Sequence, residues 1–353
     1  MQAGTDKTSK ILLIYTGGTI GMIEGNESGS FLPFSIESVL EFVPKLKSLK
    51  AHISVVSFKE PMDSAHIGLD EWLELKTIIK DNYELFNGFV ILHGTDTMAY
   101  SASALGFLLQ GLNKPVIFTG SQLPISKPRS DAHENLVTAI EIAIAQKNLL
   151  PRVPEVAIFF DNKLYRGVRS TKNNAENFNA FSSPNYSVLA TAGVRIKYED
   201  DLINNSRNSV FTALDKIEKS VVILKLFPGI SDHYIESIVA SNGVKGVVLE
   251  AFGTGTVNLT KKSIKVLNTA VNEGVKIIAV SQCNVGSVEL GKYEASNVLK
   301  RIGVLSGNDI SCEAALTKMM VVLGNYDEKS KVDKLLSSNW VGEQTIPKNE
   351  IFK

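Results

Sequence analysis

The sequence predicts an α/β protein of two domains. The larger N-terminal domain is expected to hold a mostly parallel sheet flanked by helices, with a smaller α/β domain after it. Short apolar runs alternate along the chain with segments whose apolar residues recur at helical spacing, which is typical of βαβ units. The length of 353 residues also favours two domains over one. We place the boundary in a polar, irregular stretch, which gives domains of residues 1–205 and 206–353.

The elements of the N-terminal domain follow from its apolar patterns. Apolar runs predict strands at residues 11–14, 53–56, 88–92, 116–118 and 156–160. Helical spacing predicts helices after Ser35, over residues 69–80, from about Met98 and from about Asp131. Residues 25–29 form a polar loop that is long enough to act as a flap, and residues 61–64 form a second polar loop.

The C-terminal domain repeats this alternation. Strands are expected at residues 221–226, 246–250 and 275–280, and helices after Ser231, Thr260 and Glu313. The loop at residues 252–256 also follows a strand, but its Gly-Thr-Gly-Thr is too short for a dinucleotide fingerprint. We interpret it as a ligand-edge or interface loop.

Composition excludes several classes of function. Lys plus Arg and Asp plus Glu number 37 each, so no net charge favours nucleic acid or a membrane as a partner. Cys283 and Cys312 provide no disulfide framework, and the five histidines show no ligand spacing, so no metal site is expected. No phosphate-binding loop is present. A polar N-terminus without a long apolar run predicts a cytoplasmic protein.

Three polar, glycine-containing loops follow strands of the N-terminal domain: residues 15–21, 93–97 and 119–122. Ligands of open parallel sheets bind outside the carboxyl ends of the strands, so we expect the loops of Thr19, Thr95 and Ser121 to form one site. The two glycines before Thr19 permit a sharp turn and a close approach of backbone to ligand. Such a turn can present one hydroxyl and bare backbone N–H groups at the sheet rim.

A hydroxyl nucleophile needs a base or a nearby charge. His93 is one candidate base, but it is as readily a structural histidine, and no Gly-x-Ser-x-Gly elbow supports a Ser-His-Asp triad. A threonine activated by a lysine or a tyrosine is the alternative, with Asp96 holding the lysine ammonium. Thr95 and Asp96 could instead simply cap the helix that follows them.

Residues 15–22 (YTGGTIGM) and 88–100 (GFVILHGTDTMAY) strongly resemble the two signature motifs of bacterial L-asparaginases, in the form of the cytoplasmic type I enzymes. The resemblance continues through segments that begin at residues 61, 115, 164, 171, 227, 281 and 313, and so covers nearly the whole chain. It implies hydrolysis of L-asparagine to L-aspartate and ammonia without a cofactor. It also implies a homodimer or homotetramer in which one subunit's C-terminal domain completes a neighbour's site.

The resemblance assigns roles residue by residue. Thr19 would attack the side-chain amide to form an acyl-enzyme, and a second group would activate threonine or water. Asp63 and Ser64 would bind the substrate's α-amino and α-carboxylate groups. The activating group comprises Thr95, Lys172 and Asp96, the substrate-binding residues are Asp63, Ser64, Thr95 and Asp96, and Ser121 contributes through its backbone.

Three positions depart from the family pattern. Phe31 stands where the flap usually carries an activating tyrosine, so either Tyr293 supplies that hydroxyl or the Thr–Lys pair serves both steps. Thr256 stands where some enzymes place an asparagine, which weakens the expected cross-subunit contact. Glu250 replaces an arginine of the allosteric enzymes beside Cys283, so the same allostery is not expected.

Two other functions are open from the sequence. One is the ammonia-generating subunit of a tRNA-dependent amidotransferase, which contains a similar unit and an additional N-terminal domain; only about ten residues precede the first strand here. The other is a non-catalytic amino-acid sensor on the same fold. Retention of Thr19, Thr95, Asp96 and Lys172 together favours the enzyme.

Overall fold

A computed structural model describes residues 8–24, 31–33, 41, 43–204, 210–291 and 294–346. The chain divides into two compact units, each an α/β arrangement, which confirms the predicted fold class. The first unit comprises Met1–Ser183 and Ser187–Ala213, and the second comprises Pro184–Tyr186 and Leu214–Lys353. Among the described residues, no helix combines the length and the apolar character needed to cross a membrane.

The first unit contains strands of very different length. They are β1 (Ser9–Gly17), β2 (Met22–Glu24), β3 (Phe31–Pro33), β4 (Ala51–Met62), β5 (Gly88–Leu92), β6 (Leu109–Gln110), β7 (Val116–Thr119), β8 (Gln146–Lys147), β9 (Leu150–Pro151), β10 (Val156–Phe160), β11 (Lys163–Arg166), β12 (Thr171–Lys172), β13 (Phe181–Ser182), β14 (Ala190–Ala192), β15 (Ile196–Tyr198) and β16 (Thr212–Ala213). The α-helices whose bounds lie wholly within the described residues of this unit are α1 (Leu69–Asn82), α2 (Met98–Leu108) and α3 (Ala132–Ile144).

Eight of these strands form one sheet in the order β15-β14-β11-β10-β7-β5-β1-β4. The five strands from β4 to β10 are parallel, and β11, β14 and β15 continue the sheet in antiparallel fashion. Tyr15 of β1 lies opposite Leu92 of β5, and Leu92 lies opposite Thr119 of β7. The carboxyl ends of these three strands therefore lie side by side, and the three glycine-containing loops leave from the same edge.

Burial explains why the central strands of this sheet could be predicted from the sequence. All five residues of β5 and all five of β10 are buried, as expected for strands covered on both faces. Helix α1 buries Trp72, Leu75 and Ile79, the face that the helical spacing predicted.

The second unit has a four-stranded parallel sheet in the order β17 (Val221–Lys225), β18 (Gly246–Ala251), β19 (Lys276–Ser281) and β20 (Leu305–Ser306). Its helices are α4 (Asp232–Val239), α5 (Lys261–Asn272), α6 (Glu294–Arg301), α7 (Cys312–Asn325) and α8 (Lys329–Ser337). Helices α4 and α5 begin directly after Ser231 and Thr260, as predicted, and each of these residues caps its helix by accepting a backbone N–H bond. The predicted start of α7 after Glu313 is wrong, because Ser311 caps a helix that begins at Cys312.

Three further predictions need correction or lie outside the described residues. The strand predicted at 53–56 runs from Ala51 to Met62, and its Pro61 is tolerated because β4 is the edge strand of the sheet. The helix predicted after Ser35 falls mostly outside the described residues, and its last part is a 3₁₀ helix, Pro44–Ser48. The predicted flap at residues 25–29 also lies outside them.

Candidate active site

The turn after β1 is shaped by two glycines that no other residue could replace without strain. Gly17 and Gly18 have φ angles of 120° and 86°, in the region that favours glycine. A Cβ on Gly17 would lie 2.2 Å from the Met62 carbonyl oxygen. Gly18 N donates to that same oxygen at 3.1 Å, and a short 3₁₀ helix begins at Thr19. The half-buried Thr19 is thus placed by backbone packing against the end of β4.

The loops of Thr19 and Thr95 meet through their preceding glycines. A Cβ on Gly18 would lie 2.4 Å from the Gly94 backbone nitrogen. A Cβ on Gly94 would in turn lie 2.6 Å from Ser64 Oγ. The absence of side chains at Gly18 and Gly94 therefore lets the loops after β1, β4 and β5 pack directly on one another, with Thr19 and Thr95 each following a contact glycine.

Lys172 binds two neighbouring residues of the loop that follows β5. Its Nζ lies 2.8 Å from Thr95 Oγ1 and 2.5 Å from Asp96 Oδ1. The Lys172 side chain is 15% exposed, whereas that of Asp96 is 64% exposed, so the ammonium is largely enclosed and its carboxylate faces solvent. Lys172 is carried by β12, which pairs with β13 in a small antiparallel ladder.

The helix-capping alternative for Thr95 and Asp96 is wrong. Helix α2 begins at Met98, and Thr97 occupies its N-cap position without a side-chain cap bond. Thr97 Oγ1 instead donates to the Ser64 carbonyl oxygen at 2.6 Å, which ties the β4 loop to the start of α2. The side chains of Thr95 and Asp96 contact Lys172 instead of the helix terminus.

The other predicted substrate-binding residues lie on the loops after β4 and β7. Asp63 is exposed, and its Oδ1 accepts from Ala65 N at 2.8 Å, while Ser64 is buried. Ser121 is buried and its hydroxyl donates to the Leu123 carbonyl at 2.6 Å. That hydroxyl is therefore engaged within its own loop, and a role through its backbone stays a prediction.

Gln122 and Asp131 belong to this site, although the sequence did not single them out. Gln122 Oε1 accepts from Thr95 Oγ1 at 3.2 Å, and its Nε2 donates to the carbonyls of Ala175 and Asn177. The Asp131 carboxylate accepts from Gln122 N at 3.1 Å. A glutamine directly after a strand-end Gly-Ser was the available signal, but the two carbonyls that its Nε2 binds lie more than fifty residues away.

His93 is a structural histidine rather than the catalytic base. It is fully buried, and its Nδ1 lies 2.6 Å from the Gly94 carbonyl oxygen. Burial lowers the pKa of His93 to about 4, so the ring is neutral at neutral pH. Its Nε2 is enclosed and has no partner among the described residues. A ring held in this way beneath the loop cannot exchange protons with a substrate at the rim.

Thr16 and Tyr15 support the turn from below. Thr16 Oγ1 donates to the Leu92 carbonyl at 3.1 Å and is fully buried. The Tyr15 hydroxyl lies 2.0 Å from where a Cβ on Gly21 would be, and burial raises the pKa of Tyr15 to about 12. Tyr293 lies outside the described residues, and of Phe31 the structure describes the backbone, paired with Glu24.

Within the part of the chain that the structure describes, no cluster of three or more His, Cys, Asp or Glu side chains could hold a metal ion. The arrangement at the sheet edge instead gathers hydroxyls, a lysine, a carboxylate and backbone amides. These groups can perform acyl transfer by a hydroxyl nucleophile, with backbone N–H groups available to an oxyanion.

Comparison with known proteins accounts for both units. The N-terminal asparaginase family model matches residues 10–204, and the glutaminase/asparaginase C-terminal domain model matches residues 220–336. L-asparaginase 1 of Escherichia coli K12 is 35% identical over 338 residues, covering 95% of this chain and 98% of that protein. A glutamyl-tRNA(Gln) amidotransferase subunit of Pyrococcus furiosus is 32% identical over 354 residues, covering 95% of this chain and 76% of that protein.

The crystal structure of L-asparaginase I from Vibrio cholerae superposes with a TM-score of 0.87 at 33% identity, covering 96% of this chain and 100% of that one. Both family models and the fold therefore agree with the resemblance of the two motifs. The chain belongs to the asparaginase family.

Proposed function

We propose that the chain hydrolyses L-asparagine to L-aspartate and ammonia through a threonine nucleophile. One observation carries this proposal: Lys172 Nζ binds both Thr95 Oγ1 and Asp96 Oδ1, and Thr95 follows a glycine that packs against the glycine before Thr19. A hydroxyl beside a lysine that a carboxylate holds in place is one of the arrangements that can hydrolyse an amide through an acyl-enzyme, because the nucleophile needs an adjacent activating group. The relatives that bear the name L-asparaginase support the choice of substrate.

In the first half of the reaction, Thr19 Oγ attacks the side-chain amide carbon of asparagine. The tetrahedral intermediate carries an oxyanion, which the backbone N–H groups of the glycine-containing loops are suited to stabilise. Its C–N bond breaks, and ammonia leaves with the proton that Thr19 gave up. The product is an aspartyl ester on Thr19, with the threonine oxygen in place of the amide nitrogen.

In the second half, water attacks the ester carbon, the bond to Thr19 Oγ breaks, and aspartate leaves while the threonine regains its proton. Thr95, Lys172 and Asp96 serve proton transfer in this cycle. Asp96 keeps the lysine nitrogen beside Thr95, and Lys172 exchanges protons with the Thr95 hydroxyl. For activation of Thr19 we propose the Tyr293 hydroxyl, with the Thr95–Lys172 pair as the alternative.

The substrate's polar ends need charged and hydrogen-bonding partners. We propose that the exposed Asp63 carboxylate binds the α-ammonium and that Ser64 binds the α-carboxylate. Ser121 contributes its backbone, because its hydroxyl donates to Leu123. The C-terminal domain is proposed to complete the site of a neighbouring subunit in a homodimer or homotetramer. The cytoplasmic location also stays a prediction.

The test is ammonia release from L-asparagine by the wild-type protein and by Thr19→Ala. We expect turnover in the wild type and a loss of at least about a hundredfold in the variant, since nucleophilic attack no longer occurs. Thr77→Ala is the matched control, because Thr77 is an exposed threonine of α1 whose hydroxyl donates only within its helix. Wild-type activity no greater than that of Thr19→Ala would overturn the proposal and favour the amino-acid sensor.

A further inference from the structure

We propose that Gln122 is a positioning residue for Thr95 and that it fixes the direction of the Thr95 hydroxyl proton. This inference rests on the proposed function, because it assigns a purpose to Gln122 within the same amide hydrolysis. Its basis is a chain of hydrogen bonds that begins at Lys172, passes through Thr95 and ends on a loop of the same unit.

The hydroxyl of Thr95 has one proton and two lone pairs. Lys172 Nζ, as an ammonium, can only donate, so at 2.8 Å it occupies a lone pair of Thr95 Oγ1. Gln122 Oε1 at 3.2 Å is an acceptor and therefore receives the Thr95 proton. The hydroxyl is thus oriented with its proton toward Gln122 and its lone pair toward Lys172.

The orientation of the Gln122 amide follows from its other contacts. Its Nε2 lies 3.3 Å from the Ala175 carbonyl oxygen and 3.0 Å from that of Asn177. Both partners are acceptors, so the end of the amide that faces them has to be the NH₂ group. The flipped amide would place its oxygen against two carbonyl oxygens and an N–H group against Thr95.

The two carbonyls are themselves held in place. Asn174 Oδ1 accepts from the backbone nitrogens of Glu176 and Asn177, both at 2.8 Å, which forms an Asx-type turn. On the other side, Asp131 accepts from Gln122 N at 3.1 Å and from Asn135 Nδ2 at 3.1 Å. Gln122 is therefore anchored at its backbone and at its amide nitrogen, and this leaves its oxygen as a fixed acceptor for Thr95.

This arrangement predicts which kinetic step depends on Gln122. Without the acceptor, the Thr95 hydroxyl rotates about its C–O bond, and fewer orientations present a lone pair to Lys172. The hydrogen bond that Thr95 accepts from Lys172 weakens, so the ammonium is held less closely beside the reacting groups, whereas the proposed contacts to the substrate's α-groups through Asp63 and Ser64 are untouched. The effect should therefore fall on turnover rather than on asparagine binding.

The experiment compares Gln122→Met, Gln122→Glu and wild type by steady-state ammonia release from L-asparagine, with thermal unfolding of each protein. Methionine removes both the acceptor and the donors, whereas glutamate keeps an acceptor for Thr95 and loses only the donors. We expect Gln122→Met to lower kcat about tenfold with KM within about threefold, and Gln122→Glu to retain more kcat than Gln122→Met. Gln110→Met is the control, since Gln110 Nε2 donates to the Phe107 carbonyl in the same unit and is not part of the site.

The two possible roles of Gln122 give opposite orders. If Gln122 only ties down the loop at residues 174–177, glutamate should be as harmful as methionine or worse, because its carboxylate would face two carbonyl oxygens. That order, or an unchanged kcat in Gln122→Met, overturns this inference while leaving the proposed function intact. A wild-type protein that releases no ammonia overturns the proposed function and the inference with it.

Discussion

The two units have parallel sheets whose carboxyl edges are built differently. On the first sheet, Gly17, Gly18, Gly94 and Gly120 lie where a Cβ would come within 2.2–2.6 Å of an atom from a neighbouring loop. On the second sheet, the loops after β17, β18 and β19 carry Gly229, Gly253 and Gly286, and a Cβ on any of these three would meet nothing within 4 Å. Both edges use glycine, but the closest contacts differ in kind: Gly17, Gly18 and Gly120 approach backbone atoms, whereas a Cβ on Gly255 of the second edge would meet the Val288 side chain, at 2.8 Å.

The lysines at the two sheet edges also differ in how closely they are packed. On the first edge, Lys172 is largely enclosed and contacts both Thr95 and Asp96 at hydrogen-bond distance. On the second edge, the Lys225 side chain is 65% exposed and lies 3.8 Å from Glu250. A parallel sheet therefore offers an edge for a site, and close packing of its loops is what aligns side chains for chemistry.

The largest expected effect comes from removing the lysine of the first edge. Lys172→Met keeps the length of the side chain but removes the ammonium that binds Thr95 and Asp96. We expect kcat for ammonia release to fall by about 10²–10⁴-fold, the usual range for loss of an acid–base group. Steady-state kinetics with L-asparagine measure this directly.

Lys225→Met on the second edge is the matched control. Its ion pair is exposed and long, so we expect turnover close to wild type and a change in unfolding free energy below about 0.5 kcal/mol. Equal losses of kcat in the two variants would contradict the difference between the edges.

The next effect concerns the glycine contact itself. Gly18→Ala and Gly253→Ala both place a side chain at positive φ, 86° and 47°. At Gly253 this costs about 1–2 kcal/mol. At Gly18, where ψ is 173°, the backbone lies in a region essentially confined to glycine, and the cost is about 1–3 kcal/mol. Only at Gly18 does the added Cβ also meet backbone, at 2.4 Å from Gly94 N, which adds an overpacking cost of about 1–3 kcal/mol. We expect Gly18→Ala to lower the free energy of unfolding by about 2–6 kcal/mol, and to reduce turnover because Thr19 is displaced.

Denaturant unfolding of both variants tests this. Gly253→Ala should lose only the conformational cost, about 1–2 kcal/mol. If Gly18→Ala were no less stable than Gly253→Ala, the close approach of the loops of Thr19 and Thr95 would not be a constraint on the fold.

Burial decided how much of the fold the sequence revealed. Strands β5 and β10 were predicted with their full bounds, because strands covered on both faces are continuous apolar runs. The edge strand β4 is twelve residues long, but its half-buried pattern revealed only four of them. The antiparallel strand β11 was missed because Lys163–Arg166 has no apolar pattern of its own and is a strand through its pairing with β10.

The site residues likewise fall into those that the local sequence revealed and those that it did not. Glycine-containing loops after strands marked Thr19 and Thr95 from the residues alone, since that signal is local. Lys172 is 77 positions from Thr95, and nothing in its immediate sequence distinguishes it from a solvated lysine; only the family resemblance pointed to it. Gln122 was missed because its amide nitrogen binds the backbone carbonyls of a distant loop, which no side-chain pattern reveals.

The smallest expected effect is the pH dependence of the unfolding free energy that the buried His93 contributes and an exposed histidine does not. Burial lowers the pKa of His93 from 6.5 to about 4, so the folded protein binds this proton more weakly than the unfolded chain does. The resulting stabilisation is fully present above pH 6.5 and is lost as the pH falls from 6.5 toward 4. The difference between the two pKa values corresponds to about 3 kcal/mol.

His93→Gln should remove this pH dependence while keeping a polar group of similar size beside the Gly94 carbonyl. The measurement is the free energy of unfolding at pH 7 and at pH 4.5, and the loss between them should be smaller in the variant by roughly 2–3 kcal/mol. The readout is a difference between two pH values, so it stands even where the variant is less stable at both. His233→Gln, at an exposed position of the second unit, is the control and should keep the wild-type loss. An equal loss in His93→Gln and wild type would mean that His93 takes up its proton as readily in the folded protein as in the unfolded chain, contrary to its enclosure beneath the loop of Thr95.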